Sequence, residues 1–206
     1  MSTMFMISFG SALWLIGRRL VAHFASTTRT SFVLGWLVVI GLTGVTGFEL
    51  GANLRAATLV VLFVGLVVLT EIDLRTRRLP REISYPLFAI ALTLVTVDAL
   101  LTDRGDRVVD ALLGAVVTTG VLLVLHLASR GGMGDGDVRM APVLGLFAVD
   151  GLDIVWAGLF VAFVSAGLTV AVLLTVGHAT RTSTIPFGPF LAIGSITAAL
   201  TSGVGS

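Results

Sequence analysis

Eight apolar stretches fill most of this 206-residue chain, at positions 3–17, 32–48, 56–72, 84–101, 108–128, 138–149, 154–176 and 187–203. The polar links between them are short. A helix that crosses roughly 30 Å of hydrocarbon needs about 20 predominantly apolar residues, and about 17 is the lower end. Inside a bilayer every backbone polar group must find a partner within the protein, which favours helices for spans of this length. Hydrophobic residues make up 56% of the chain before its 24 glycines are counted, against roughly 45–50% with glycine included in a soluble domain. The expectation is an all-α polytopic membrane protein, a single helical membrane domain over 1–206. It should be a bundle of about eight transmembrane helices, with the first and sixth short and open to a tilted or re-entrant path.

Arginine sets the orientation. If all eight stretches cross, one side receives Arg18, Arg19, Arg29, Arg75, Arg77, Arg78, Arg81, Arg130, Arg139 and Arg181, and the other only Arg55, Arg104 and Arg107. Basic residues accumulate in cytoplasmic loops. The first set is therefore read as cytoplasmic and the N-terminus as outside. The pair Arg18-Arg19 follows the first apolar stretch, whereas a secretory signal peptide has its basic region first. Residues 3–17 are accordingly read as a first span. The chain has no cysteine, so disulfides, thiolate metal sites and cysteine nucleophiles are excluded.

Two aspartates fall at helix ends on the arginine-rich side. Asp73 closes the stretch 56–72, and Arg75, Arg77, Arg78 and Arg81 follow it. These cations can hold its carboxylate ionised or simply face lipid headgroups, and Pro80 keeps the helix from running on. Asp137 follows Gly131, Gly132, Gly134 and Gly136, which free the backbone for positive φ and for close approach of another segment. It is placed as the N-cap of the run 138–149. Asp135, two residues earlier, is a second loop cap, a tuner of Asp137 or a spare carboxylate. The bland reading of both sites is a solvated helix end and a capped, flexible loop. If Asp73 and Asp137 converge, the two carboxylates share one proton, and the pair can activate water while protonating a carbonyl oxygen.

Other candidates are weaker. His23, His126 and His178 show no zinc spacing. The serines Ser84, Ser129, Ser165 and Ser195 lack a nucleophile elbow, and a chain without lysine has no Ser–Lys dyad. Asp98, Asp103, Asp106 and Asp110 read as a solvated turn on the outer side. A glycine turn before a helix can cradle phosphate, but two aspartates within it would repel an anion. No metal, cofactor or nucleic-acid partner is expected.

Three segments together resemble the type IV prepilin peptidases, intramembrane aspartyl proteases with a Gly-x-Gly-Asp motif. Ile72-Asp73-Leu74-Arg75 through Leu79-Pro80 is similar to the family's first aspartate segment. Gly132-Met133-Gly134-Asp135-Gly136-Asp137-Val138-Arg139 is similar to the second, with Asp135 as the variable residue. Ile185-Pro186-Phe187-Gly188-Pro189-Phe190-Leu191-Ala192-Ile193-Gly194 is similar to the C-terminal segment. The resemblance covers about 56–206, the peptidase core, and leaves the spans in 1–55 unassigned. It implies an aspartyl endopeptidase with Asp73 and Asp137 catalytic and with Gly134, Gly136, Asp135, Arg75, Arg139 and Pro80 in support. Such an enzyme needs no cofactor and sits in the plasma membrane as a multi-pass protein. Its partners would be prepilin-like or pseudopilin substrates, whose short basic leader it removes at the cytoplasmic face, and the lipid bilayer.

The chain departs from the family pattern in places. Arg81 stands where Asp or Asn usually follows the proline, and Arg139 where Lys is common. Larger members carry a four-cysteine N-terminal domain and N-methylate the new terminus; neither that domain nor any cysteine is present here, so methylation is not implied. Three other classes compete. Presenilin-like proteases share Gly-x-Gly-Asp but pair it with Tyr-Asp and Pro-Ala-Leu, while here Ile72 precedes Asp73. A small transporter or channel would use the aspartates as a proton or cation path, and a non-catalytic scaffold would not need them.

Overall fold

The computed structural model describes residues 2–24, 29–51, 53–76, 79–129, 133–176 and 186–203. Among them are eight α-helices and no strand: α1 (Ser2–Phe24), α2 (Arg29–Glu49), α3 (Leu54–Thr76), α4 (Arg81–Thr102), α5 (Asp106–Ala128), α6 (Asp135–Gly145), α7 (Leu152–Thr175) and α8 (Gly188–Gly203). Five of them (α1, α3, α4, α5 and α7) are long and apolar enough to cross a membrane. Their outer faces expose Leu15, Ile16, Leu100, Leu101, Val116, Leu127, Phe160 and Leu168. In water so much exposed apolar surface would drive association; in lipid it is the solvated side. The chain is an all-α, multi-pass membrane protein.

Of the two helices expected to be short, one differs from the sequence expectation and one matches it. The first is not short, since α1 spans 23 residues and carries Arg18 and Arg19 within it. Arg18 is accommodated by an ion pair with Glu71 of α3 at 3.3 Å, and a long arginine stem can carry its charge from a helix side to the interface. The sixth is short. At 11 residues, α6 is about 16 Å long and does not cross by itself. A 3₁₀ turn, Leu146–Asp150, continues it to about 26 Å.

The packing order follows from burial. Helix α3 is the hub, packing on α1, α2, α4 and α8. Its residues Leu62, Leu66, Leu69 and Ile72 recur at helical spacing and are buried, and Phe63 stacks on Phe147 with ring centroids 5.8 Å apart. Lipid supplies no hydrophobic force between helices, so close backbone packing does more of the work. At the α5–α6 contact a Cβ on Gly114 would meet the Gly145 carbonyl and Ala148, and one on Gly145 would meet the backbone of Ala115. At α7–α8 a Cβ on Gly194 would meet the Gly158 carbonyl and lie 2.8 Å from the Ala162 nitrogen.

The helices alternate between two faces. Glu49, Leu50, Arg55, Ile154, Leu200 and Ser202 gather at one. Near it Asp98 of α4 pairs with Arg107 of α5 at 2.7 Å, with both residues buried. This corrects the reading of Asp98 as part of a solvated turn, while Asp103 and Asp106 are exposed as expected. The short link through Asp103, which takes a left-handed conformation at φ 55°, folds α5 back on α4 and sets Arg107 against Asp98. At the opposite face the end of α3 meets the starts of α4, α6 and α8. Gly145→Ala should push α5 and α6 apart and lower the detergent unfolding midpoint, by about 1–3 kcal/mol or more. Gly120→Ala on α5, where nothing lies within 4 Å, should be neutral or stabilising.

Candidate active site

Asp73 sits in the last turn of α3 and is only 7% exposed. Helix α3 runs past it to Thr76 because Glu71 and Arg75 form an i,i+4 ion pair at 3.0 Å, which supports the final turn. Arg18 shares the same Glu71 oxygen. Gly188, the first residue of α8, presents its N–H to the Asp73 carboxylate. A Cβ at Gly188 would lie 2.7 Å from Asp73 Oδ2, so only glycine lets the helix start approach this closely. The positive end of the α8 dipole then faces the acid.

Asp137 is not the N-cap of α6 but its third residue. Gly134 is the N-cap, with φ −71° and ψ 145°, so the helix begins three residues earlier than expected. A carboxylate at the third position can reach back to the N–H of the cap, and Gly134 N–H does donate to Asp137. The side chain is 5% exposed. Burial pushes its carboxyl up to about 7 from an ordinary 3.8, and the Asp73 charge adds to the rise. The Gly134 N–H and His126 pull the other way. Two aspartates 64 positions apart in the chain thus face one another at the same end of the bundle.

The supporting residues divide. Gly136 lies against Leu79, where a Cβ would meet that side chain at 3.2 Å, so the segment before Pro80 and the glycine turn touch. The glycines allow this approach, not positive φ: among described glycines only Gly51 and Gly151 have it. Gly131, Gly132, Arg77, Arg78 and Ile185 lie outside the described residues. Pro80 caps α4 in extended conformation. Arg75 is engaged with Glu71. Asp135 is 70% exposed on its side chain and turns outward, to His126 Nε2 at 3.2 Å and Arg139 Nη2 at 3.7 Å. At a helix start residues two apart diverge, which separates Asp135 from Asp137.

Beside the pair opens a cavity of about 960 Å³, lined by Ile72, Thr76, Pro80, Arg81, Gly134 and Arg139 among others. Among the described residues no cluster of His, Asp or Glu converges in a way that would hold a metal ion. The arrangement offers acid–base chemistry from two buried carboxyls, and their chain neighbours Ile72 and Gly136 line a space large enough for a peptide segment. Two participants were not given roles from the sequence. Gly188 was seen only as part of a C-terminal segment. His126 was set aside for want of a zinc spacing, the sole signal that spacing alone provides for histidine.

The fold and the carboxylate pair define a multi-pass helical membrane protein with two buried carboxyls at one face. The sequence profile of the type IV leader peptidase family matches residues 60–175, more than half of the chain, and the chain belongs to that family. Among similar proteins, the "Prepilin leader peptidase/N-methyltransferase" of Stutzerimonas stutzeri is 26% identical over 74% of this chain and 52% of its own length. The Bacillus subtilis (strain 168) protein of that name is 27% identical over 80% and 63%. The Aeromonas salmonicida one is 28% identical over 89% and 62%. The chain thus spans between half and two thirds of these relatives. No solved structure matches it.

The raised carboxyl of Asp137 has a consequence for stability. From about pH 4 upward the unfolded chain has released this proton, while the folded chain keeps it to about 7. The folded state binds more protons over that interval, so stability falls as pH rises through it. Asp137→Asn removes the cost and keeps an acceptor for Gly134 N–H. Its thermal midpoint in detergent should exceed wild type by a few degrees at pH 8 and by little at pH 4. An equal midpoint at pH 8 would show that the carboxylate is not desolvated.

Proposed function

We propose that this chain is an aspartyl endopeptidase that removes the short basic leader of prepilin-like proteins at the cytoplasmic face of the plasma membrane. The observation that carries the reading is the meeting of Asp73 and Asp137, both buried, at the ends of helices that are distant in sequence. Like charges so placed favour a state with one proton between them. Asp137, pushed up to about 7, retains that proton near neutrality and is the acid that protonates the scissile carbonyl oxygen. Asp73 is the base that takes a proton from water as the water attacks the carbonyl carbon. Collapse of the tetrahedral species returns a proton to the leaving amine.

The surroundings suit this chemistry. Gly188 and Gly134 supply backbone donors at helix starts, which steady negative charge without bringing in a mobile cation. The cavity between the start of α4 and the start of α6 gives the peptide a way to the pair. The orientation rests on arginine. Arg18, Arg19, Arg75, Arg81 and Arg139 lie toward the dyad end of the bundle, whereas Arg55, Arg104 and Arg107 lie toward the other, and the richer side is cytoplasmic by the positive-inside rule. The names of the relatives include N-methyl transfer; the proposal for this chain concerns peptide cleavage.

Co-expression with a prepilin-like substrate tests the reading. Asp73→Asn and Asp137→Asn should each reduce leader removal by about a hundredfold or more while the protein still accumulates in the membrane. Asp135→Asn should cost less than about tenfold, since its side chain faces outward. Near-normal processing by either dyad variant would sink the mechanism. The rate of the wild type should fall by about tenfold per pH unit above about 7, as the shared proton is lost. A rate that keeps rising to pH 9 would show that this proton takes no part.

A further inference from the structure

His126 lies in the last turn of α5, and its ring meets two acceptors. Nδ1 is 2.9 Å from the Met133 carbonyl oxygen, and Nε2 is 3.2 Å from Asp135 Oδ1. A carbonyl only accepts, so Nδ1 carries a proton. Nε2 faces the Asp135 carboxylate, which Arg139 also approaches at 3.7 Å. Close by, Ser129 Oγ accepts the Met133 N–H at 3.0 Å and donates to the His126 carbonyl at 2.8 Å. The end of α5 thus holds both backbone polar groups of Met133.

The Met133 carbonyl and the Gly134 N–H belong to one planar peptide unit and point in opposite directions. The Gly134 N–H is the group that Asp137 accepts. A donor on the carbonyl polarises the amide and strengthens its N–H. We propose that His126 is a positioning residue for Asp137: through its Nδ1–H and the Met133–Gly134 peptide it aims and strengthens the donor to that carboxylate, while its Nε2 edge stands against the outward-turned Asp135. The inference rests on the proteolytic reading of the pair and adds a means by which that site is tuned. The titratable and charged groups around the ring are Asp135, Arg139 and Asp137 on α6 and Tyr85 on α4, which lines the same cleft; Asp73 on α3 lies beyond Asp137.

The test uses the full chain in detergent with ¹⁵N-labelled histidine, His126 being assigned by comparison with His126→Gln. The expected result is a ring that carries a proton on Nδ1 throughout the range from pH 5.5 to 9. A neutral ring protonated at Nε2 would overturn the proposal. In parallel, leader cleavage is followed from pH 5.5 to 9. His126→Ala and His126→Gln should lower cleavage at pH 7 by about tenfold or more. Their alkaline limb should move to higher pH, because Asp137 loses groups that draw its carboxyl down, and His126→Arg, a charged donor, should bring the limb back. A loss that is uniform across pH, with the limb unmoved, would mean a merely structural histidine and would also overturn it. Failure of the wild type to cleave counts against the proteolytic reading; the protonation of the ring decides the clasp by itself.

Discussion

Two carboxyl groups buried side by side at the end of a membrane bundle are unfavourable twice over, once for desolvation and once for mutual repulsion. The structure answers with backbone donors at two helix starts. Helix α8 brings Gly188 N–H to Asp73, and α6 brings Gly134 N–H to Asp137. Both donors sit at positive helix ends, and both need glycine or a tight turn to come near. The remaining features of this face, from the Glu71 ion pairs to the contact of Gly136 with Leu79, hold those helix ends in register.

That requirement explains why the architecture is uneven. A bundle of eight equal spans would keep every helix end at the lipid interface. Here α6 is short and continued by a 3₁₀ turn, and its C-terminal end is packed into the bundle by the glycine contact with α5. Glycine at positions 114 and 145 lets two backbones meet where any side chain would separate them. Burial of Asp98 with Arg107 at the opposite face joins α4 to α5 there. A buried pair of this kind is weak evidence for stability by itself, but it fixes which residues of the two helices stand opposite each other.

Much of this was legible before the structure. The apolar stretches located the eight helices because a bilayer demands long apolar runs. Asp73 and Asp137 stood out because a carboxylate at a membrane edge needs a reason. Where the reading departed, the missing information was always a partner far away in the chain. Arg18 appeared to end the first span because Glu71 was not visible beside it. Asp98 looked solvated because Arg107 was not yet folded against it. Asp137 looked like an N-cap because the preceding residues carry no local sign that the helix begins at Asp135. His126 was passed over because its partners, Met133 and Asp135, are met only through a turn.

The sequence by itself determined that the chain is a helical membrane protein, which end of the bundle is rich in arginine, and which two aspartates are candidates for chemistry. These follow from composition and periodicity, which act locally and leave their mark residue by residue. Only the tertiary structure decided that Asp73 and Asp137 face one another, that Gly188 and Gly134 supply their donors, and that Asp135 turns away toward His126 and Arg139. Those outcomes depend on how helix ends from distant segments pack, and the raised carboxyl of Asp137 depends on the burial and the nearness of Asp73 that this packing creates.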